Sequence, residues 1–109
     1  MVKVVVHVSE AEKFSGALSN VKNLIKATEE TLTIEVVANS QGVKAYLEPD
    51  YQAKVTVLRA SGVTFSACQN SLNSLEINVA DLLEGVEVVP AGIYRLVELQ
   101  EDSYRYIKA

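Results

Sequence analysis

The sequence predicts an α/β protein, a three-layer α/β/α sandwich around a mostly parallel five-stranded sheet. Three observations predict it. The β-branched segment Val2–Val8 is a near-continuous run rather than a clean alternation, as in strands buried on both faces. Segments with helical periodicity fall between the strand segments, which demands crossover connections. At 109 residues and 49% hydrophobic, the chain is long enough to bury a core as a single domain over residues 1–109.

Val2–Val8 reads as the first strand. Ser9, followed three residues later by Glu12, has the pattern of a capping box. The helix behind it places Phe14, Ala17, Leu18, Val21, Leu24 and Ile25 on one apolar face. Thr31–Ala38 is the second strand, closed by the turn-rich Asn39-Ser40-Gln41-Gly42. Val43–Leu47 is short enough for one helical turn. Glu48-Pro49-Asp50 breaks it, and Asp50 is placed to cap the next segment.

Tyr51–Ala60 carries two periods. Tyr51, Val55 and Leu58 have helical spacing, whereas Ala53, Val55 and Val57 alternate. Ser61-Gly62 reads as a helix stop and favours the helix. Val63–Ala67 is the third strand and Gln69–Leu75 a short helix. Asn78 caps a further turn, Val79–Glu84, stopped by Gly85. Val86–Pro90 is the fourth strand. Ala91–Glu101 is a helix with Ile93, Leu96 and Val97 on one face, and Tyr104–Lys108 is a last strand.

Composition narrows the function. Net charge is −4, without a basic stripe, which argues against nucleic-acid binding. No apolar run approaches the roughly 18 residues of a membrane span. The amino terminus lacks the long apolar region of a signal peptide, so a cytoplasmic protein with a reduced thiol is expected. A single cysteine rules out an intrachain disulfide. Neither GxGxxG nor GxxxxGK[ST] occurs. No ligand spacing recommends a metal site, and no cofactor is implied.

Parallel sheets gather ligands outside the carboxyl ends of their strands. That rule selects His7-Val8-Ser9, Asn39 to Gly42, Ala67-Cys68-Gln69-Asn70 and Pro90-Ala91-Gly92. Cys68 is the sharpest candidate. Between a strand and a helix, its sulfur meets unpaired backbone N–H groups, which favour the nucleophilic thiolate. The competing reading is a small buried hydrophobe. No basic residue occurs from Gln69 to Glu76. If the first strand neighbours the third, His7 meets Cys68 and activates it; otherwise His7 is a histidine hydrogen-bonded at a strand end. Asn39 and Asn70 either line the cleft or close turns. Asn20, on a helix, has a partner loop or a subunit contact to serve.

Five pieces of the chain resemble the DsrE/DsrF-like family of small α/β proteins, which includes subunits of bacterial sulfur relays. They are Val4 to Val8, Ala17 to Leu24, Val36 to Asn39, Gly62 to Leu72 and Val86 to Gly92. The stretch Gly62-Val63-Thr64-Phe65-Ser66-Ala67-Cys68-Gln69-Asn70-Ser71-Leu72 is the most specific, and Tyr104 to Lys108 also fits. The resemblance implies a Rossmann-like sheet with helices on both faces and assembly into trimers or hexamers. It also implies a cysteine that takes sulfur as a persulfide and hands it on, a role that falls on Cys68. His7 would then orient or deprotonate the sulfur, and Asn70, with Ser71, Asn39 and Asn20, would supply ligand contacts.

Two classes of function remain open. One is a sulfur carrier or sulfurtransferase-like relay component that works with a donor and an acceptor protein. The other is a non-enzymatic oligomeric binding module in which Cys68 only packs, with Tyr46 and Tyr51 as contact residues.

Overall fold

The computed structural model describes residues 1–109. Five strands form one sheet: β1 Val2–Val8, β2 Leu32–Ala38, β3 Val63–Cys68, β4 Glu87–Val89 and β5 Arg105–Lys108. Their order is β4-β3-β2-β1-β5, and every pairing is parallel. Four α-helices connect them: α1 Phe14–Ala27, α2 Gln52–Ala60, α3 Gln69–Ser74 and α4 Gly92–Glu101. No helix is long and apolar enough to cross a membrane.

The strand order explains which helix covers which face. From β1 to β4 the chain steps steadily toward one edge, so right-handed crossovers put α1, α2 and α3 on the same face. The step from β4 to β5 runs back across the whole sheet, so the same handedness puts α4 on the opposite face. Alternation along the strands agrees with this. Val4, Val6 and Val8 join α1 and α2 in a core of 20 buried residues that includes Phe14, Tyr46 and Phe65. Val5 and Val37 point the other way and meet Leu96 and Leu99 of α4 in a cluster of only four. A fully buried large apolar side chain stabilises the fold by about 1.5–3 kcal/mol, so apolar burial alone secures α4 far less than α1 or α2.

A buried ion pair compensates. Glu35, in the middle of β2, is 4% exposed. Its carboxylate accepts two hydrogen bonds from Arg95 of α4, at 2.9 Å from Nε and 2.7 Å from Nη2. The Ser66 hydroxyl of β3 donates a third at 3.0 Å. This planar, two-point guanidinium contact ties α4 to the centre of the sheet.

Several local expectations change. Ser9 and Glu12 form no capping box. Residues Ala11–Lys13 make a 3-10 turn, α1 starts at Phe14, and the Ser9 hydroxyl accepts from Lys108 Nζ at 2.6 Å. Tertiary contact with β5 has taken the side chain the cap needed. Asp50 caps nothing, because it lies inside another 3-10 turn, Pro49–Tyr51, behind Glu48. The single turn expected at Val43–Leu47 is a longer 3-10 segment, Ser40–Leu47.

Tyr51–Ala60 is helical from Gln52, and Gly62 takes a φ of 98° where that helix stops. Asn78 does cap its turn, accepting from the Ala80 N–H at 2.8 Å, but the turn ends at Asp81. Cys68 belongs to β3, and β2, β4 and β5 each begin one residue later than expected. On α4 the expected face is wrong. Leu96 is buried with Leu99, whereas Ile93 is 67% and Val97 46% exposed. Arg95 must face Glu35, and that fixes the helix rotation.

Replacing Arg95 with alanine leaves Glu35 buried without its cation. Urea denaturation should show a loss of about 3 kcal/mol, the scale of a broken buried pair. The loss should exceed that of Glu98→Ala, whose carboxylate meets Arg95 only at 3.7 Å and near the surface.

Candidate functional site

The carboxyl ends of β1, β2 and β3 bring the sequence-selected segments to one edge. Cys68 ends β3 and also serves as the residue before α3, and it is 6% exposed. Its sulfur accepts from the Ser71 N–H at 3.4 Å, as an oxygen would at a helix start. The backbone of Gly92, at the start of α4, approaches the same sulfur from the opposite face. A Cβ built on Gly92 would lie 3.0 Å from the Cys68 Cβ and 3.6 Å from its sulfur. A side chain there would crowd Cys68 and Asn39, so glycine suits the start of α4.

Burial pushes the Cys68 thiol up. The Ser71 side chain and the backbone N–H groups of Gly92, Ser71 and Asn70 outweigh it, so the thiol lies below its ordinary value. No cation is needed for this. Oriented backbone dipoles supply the favourable field, which answers the missing basic residue after the cysteine.

Ser71 also braces the neighbouring loop. Its hydroxyl accepts from the Ser40 N–H at 2.7 Å. Ser40 sits just past β2 in a left-handed conformation, with a φ of 50°. The exit of β2 and the first turn of α3 are thus locked together beside the sulfur.

His7 does not neighbour Cys68 along the sheet. The first strand lies beside β2 and β5, and β2 separates it from β3, so the adjacency on which direct activation rested is absent. Its ring is held at both nitrogens instead. Nε2 donates to Asn39 Oδ1 at 2.8 Å, because that oxygen can only accept, and Nδ1 lies 2.6 Å from the Tyr106 hydroxyl of β5. In neutral imidazole Nδ1 then accepts from Tyr106. Asn39 stands between the two expected partners, next to His7 on one side. On the other, its Cβ and that of Cys68 both lie 3.0 Å from the Cβ position of Gly92.

The remaining candidates divide. Asn70 follows Cys68 by two residues in the first turn of α3, and it is exposed. Ser40, Gln41, Asn70, Ser71 and Ser74 line a polar hollow of about 310 Å³ beside the cap. Asn20 is exposed halfway along α1, away from this edge. Tyr46 is a core residue, fully buried, and its hydroxyl donates to the carbonyls of Ser66 at 3.1 Å and Val36 at 3.3 Å. Tyr51 packs its ring on Phe14 at 4.9 Å. Full burial excludes Tyr46 from the contact role considered for it, whereas Tyr51 stays partly exposed.

Sequence reasoning missed Glu35, Arg95 and Tyr106. A carboxylate inside the otherwise apolar Leu32–Ala38 was the available signal for Glu35. Nothing local marked Tyr106.

The family model described as "DsrE/DsrF-like family" matches residues 3–109. Among solved structures, the chain is similar to MTH1491, a protein of unknown function from Methanobacterium thermoautotrophicum. The two share 37% identity over all of both chains, with a TM-score of 0.91. It is also similar in fold to the ychN protein from E. coli, at 20% identity over all of both chains and a TM-score of 0.84. BT1422 from Bacteroides thetaiotaomicron, a conserved protein of unknown function, matches at 18% identity. That match covers 98% of this chain and 94% of the other, with a TM-score of 0.75. No curated protein matches.

The lowered thiol value sets a pH dependence. Thiolate forms as pH rises through the depressed value, so the rate of Cys68 alkylation by iodoacetamide should level off at lower pH than that of free cysteine. In Ser71→Ala the hydroxyl is gone, and the same profile should move to higher pH with the fold intact by circular dichroism.

Proposed function

Because the chain belongs to the DsrE/DsrF-like family, we propose that it is a sulfur carrier whose working group is Cys68. The observation that carries this reading is a sulfur seated at the start of α3, where it accepts from the Ser71 N–H, with the Gly92 backbone at the start of α4 packed against it. A site that favours thiolate favours attack on sulfur.

The exchange balances without an external oxidant. The Cys68 thiolate attacks the outer sulfur of a donor persulfide. A new S–S bond forms, the donor's S–S bond breaks, and the donor leaves as its thiolate. The outer sulfur then rides on Cys68. An acceptor thiolate attacks it in turn, and Cys68 leaves as thiolate. The Ser71 N–H stabilises sulfur anion at the start and at the end. His7 acts through Asn39 rather than on the sulfur, holding the amide that borders it. Asn70 and Ser71 complete the edge through backbone and hydroxyl contacts, and Asn20 takes no part in this exchange.

One thiol cannot resolve its own persulfide, so donor and acceptor lie outside the chain. A cytoplasmic setting suits the reading, since a lone thiol stays reduced there. Homo-oligomer formation suits it as well. Ile93 and Tyr94, directly after Gly92, stand 67% and 63% exposed on α4, and Val97 extends the same patch. Apolar side chains grouped in this way fit coverage by a second subunit.

The 6% exposure of Cys68 favours one competing reading, an oligomeric binding module in which the cysteine only packs. The two differ in what happens on incubation with a persulfide donor such as glutathione persulfide. Mass spectrometry should find one sulfur added to the wild-type chain, released by a small thiol, and none on Cys68→Ser. Unmodified wild-type protein, with Cys68→Ser retaining function in cells, would establish the packing role instead.

A further inference from the structure

On the face opposite α4, helices α1 and α2 leave an open groove of about 440 Å³ between them. Leu18 and Leu58 form its floor, and Val57 stands 65% exposed at its rim. Three of the chain's ten basic residues, Lys22, Lys26 and Lys54, surround it, and no carboxylate lines it. None of the three lysines forms an ion pair. In a chain of net charge −4, this is an apolar slot with a locally positive rim.

The chain also carries an element of the matching character. The outward face of α4 combines apolar Ile93, Tyr94 and Val97 with the carboxylates of Glu98 and Glu101, all exposed. The three apolar positions, one and four residues apart, form a short stripe of the kind that fills a helix-lined groove. The acidic residues follow it toward the helix end. Apolar surface would meet apolar surface, and Glu101, which has no ion pair, would reach the lysine rim together with Glu98, 3.7 Å from Arg95.

We propose that the α1/α2 groove receives α4 of a second copy of this chain. The proposal rests on the homo-oligomer reading and goes beyond it by naming both surfaces and their geometry. Groove and α4 lie on opposite faces of the sheet, so two copies cannot exchange both contacts in one symmetric pair. The contact is head-to-tail, and each copy offers one groove and one helix. Such contacts build rings when the rotation between copies closes. Because α4 begins at Gly92, against Cys68, the groove of one copy would then border the thiol edge of the next.

Complementation tests this directly. One variant, Ile93→Ser/Val97→Ser, keeps the groove and loses the apolar stripe. Another, Lys22→Glu/Lys26→Glu, keeps α4 and reverses the rim. Sedimentation velocity should show wild type assembled and each variant monomeric, with native circular dichroism. An equimolar mixture of the two should give a one-to-one heterodimer, because a single intact contact remains. Raised salt should weaken the wild-type assembly. A monomeric wild type would overturn the homo-oligomer reading and this proposal together. An assembled Lys22→Glu/Lys26→Glu variant would overturn this proposal alone and move the contact to another face. Two monomeric variants that fail to combine would also overturn it.

Discussion

The bidentate contact between Arg95 and Glu35 governs how the two faces of the sheet become one site. The larger core secures α1 and α2, whereas α4 rests on four buried apolar residues and this ion pair. Burying the pair costs desolvation, and three hydrogen bonds to one carboxylate offset it. In return, the rotation and height of α4 are fixed at Arg95, three residues after Gly92. The Gly92 backbone therefore meets Cys68 at one depth only. A purely apolar contact, being non-directional, would let a ten-residue helix slide.

From that constraint comes a division of labour along β1, β2 and β3. Residues facing α1 and α2 are almost all aliphatic or aromatic. Those facing α4 include Glu35, Ser66, His7 and Cys68, each with a named partner. No buried polar side-chain atom lacks a hydrogen bond. The polar face is tolerated because the other face carries the stability. Its polar groups in turn specify where a helix may sit, which apolar contact does poorly.

Cys68 illustrates how far backbone geometry substitutes for charge. The chain holds no lysine or arginine in the eight residues after it, yet the thiol is depressed. Dipoles fixed by two helix starts act at short range and cost no reorganisation when the sulfur ionises. His7 works differently from a nearby base. Anchored by Tyr106 and Asn39, it belongs to a hydrogen-bonded line across β5, β1 and β2, the end of which touches the cysteine's surroundings.

Much of this was legible in the chain itself. Strand segments alternating with helical periods pointed to a mostly parallel α/β sheet, because helical crossovers join parallel strands and cover both faces. Cys68, His7, Asn39 and Gly92 were all legible as residues at the carboxyl edge. That placement needs only strand ends, which turn residues mark locally. What the chain could not disclose was decided by contacts distant in sequence. Ser9 has a helix cap's chemistry but gives its hydroxyl to Lys108, 99 residues on. Ile93 and Val97 have core chemistry but face outward, since Arg95 needs Glu35, 60 residues away. The pairing of His7 with Asn39 rather than with Cys68 depends on strand order, and order is set by the handedness of crossovers and the return of α4. Local sequence encodes what each segment becomes and where it stops. Which side chain meets which is a property of the assembled sheet, because hydrogen bonds and ion pairs have direction and only the tertiary structure supplies it.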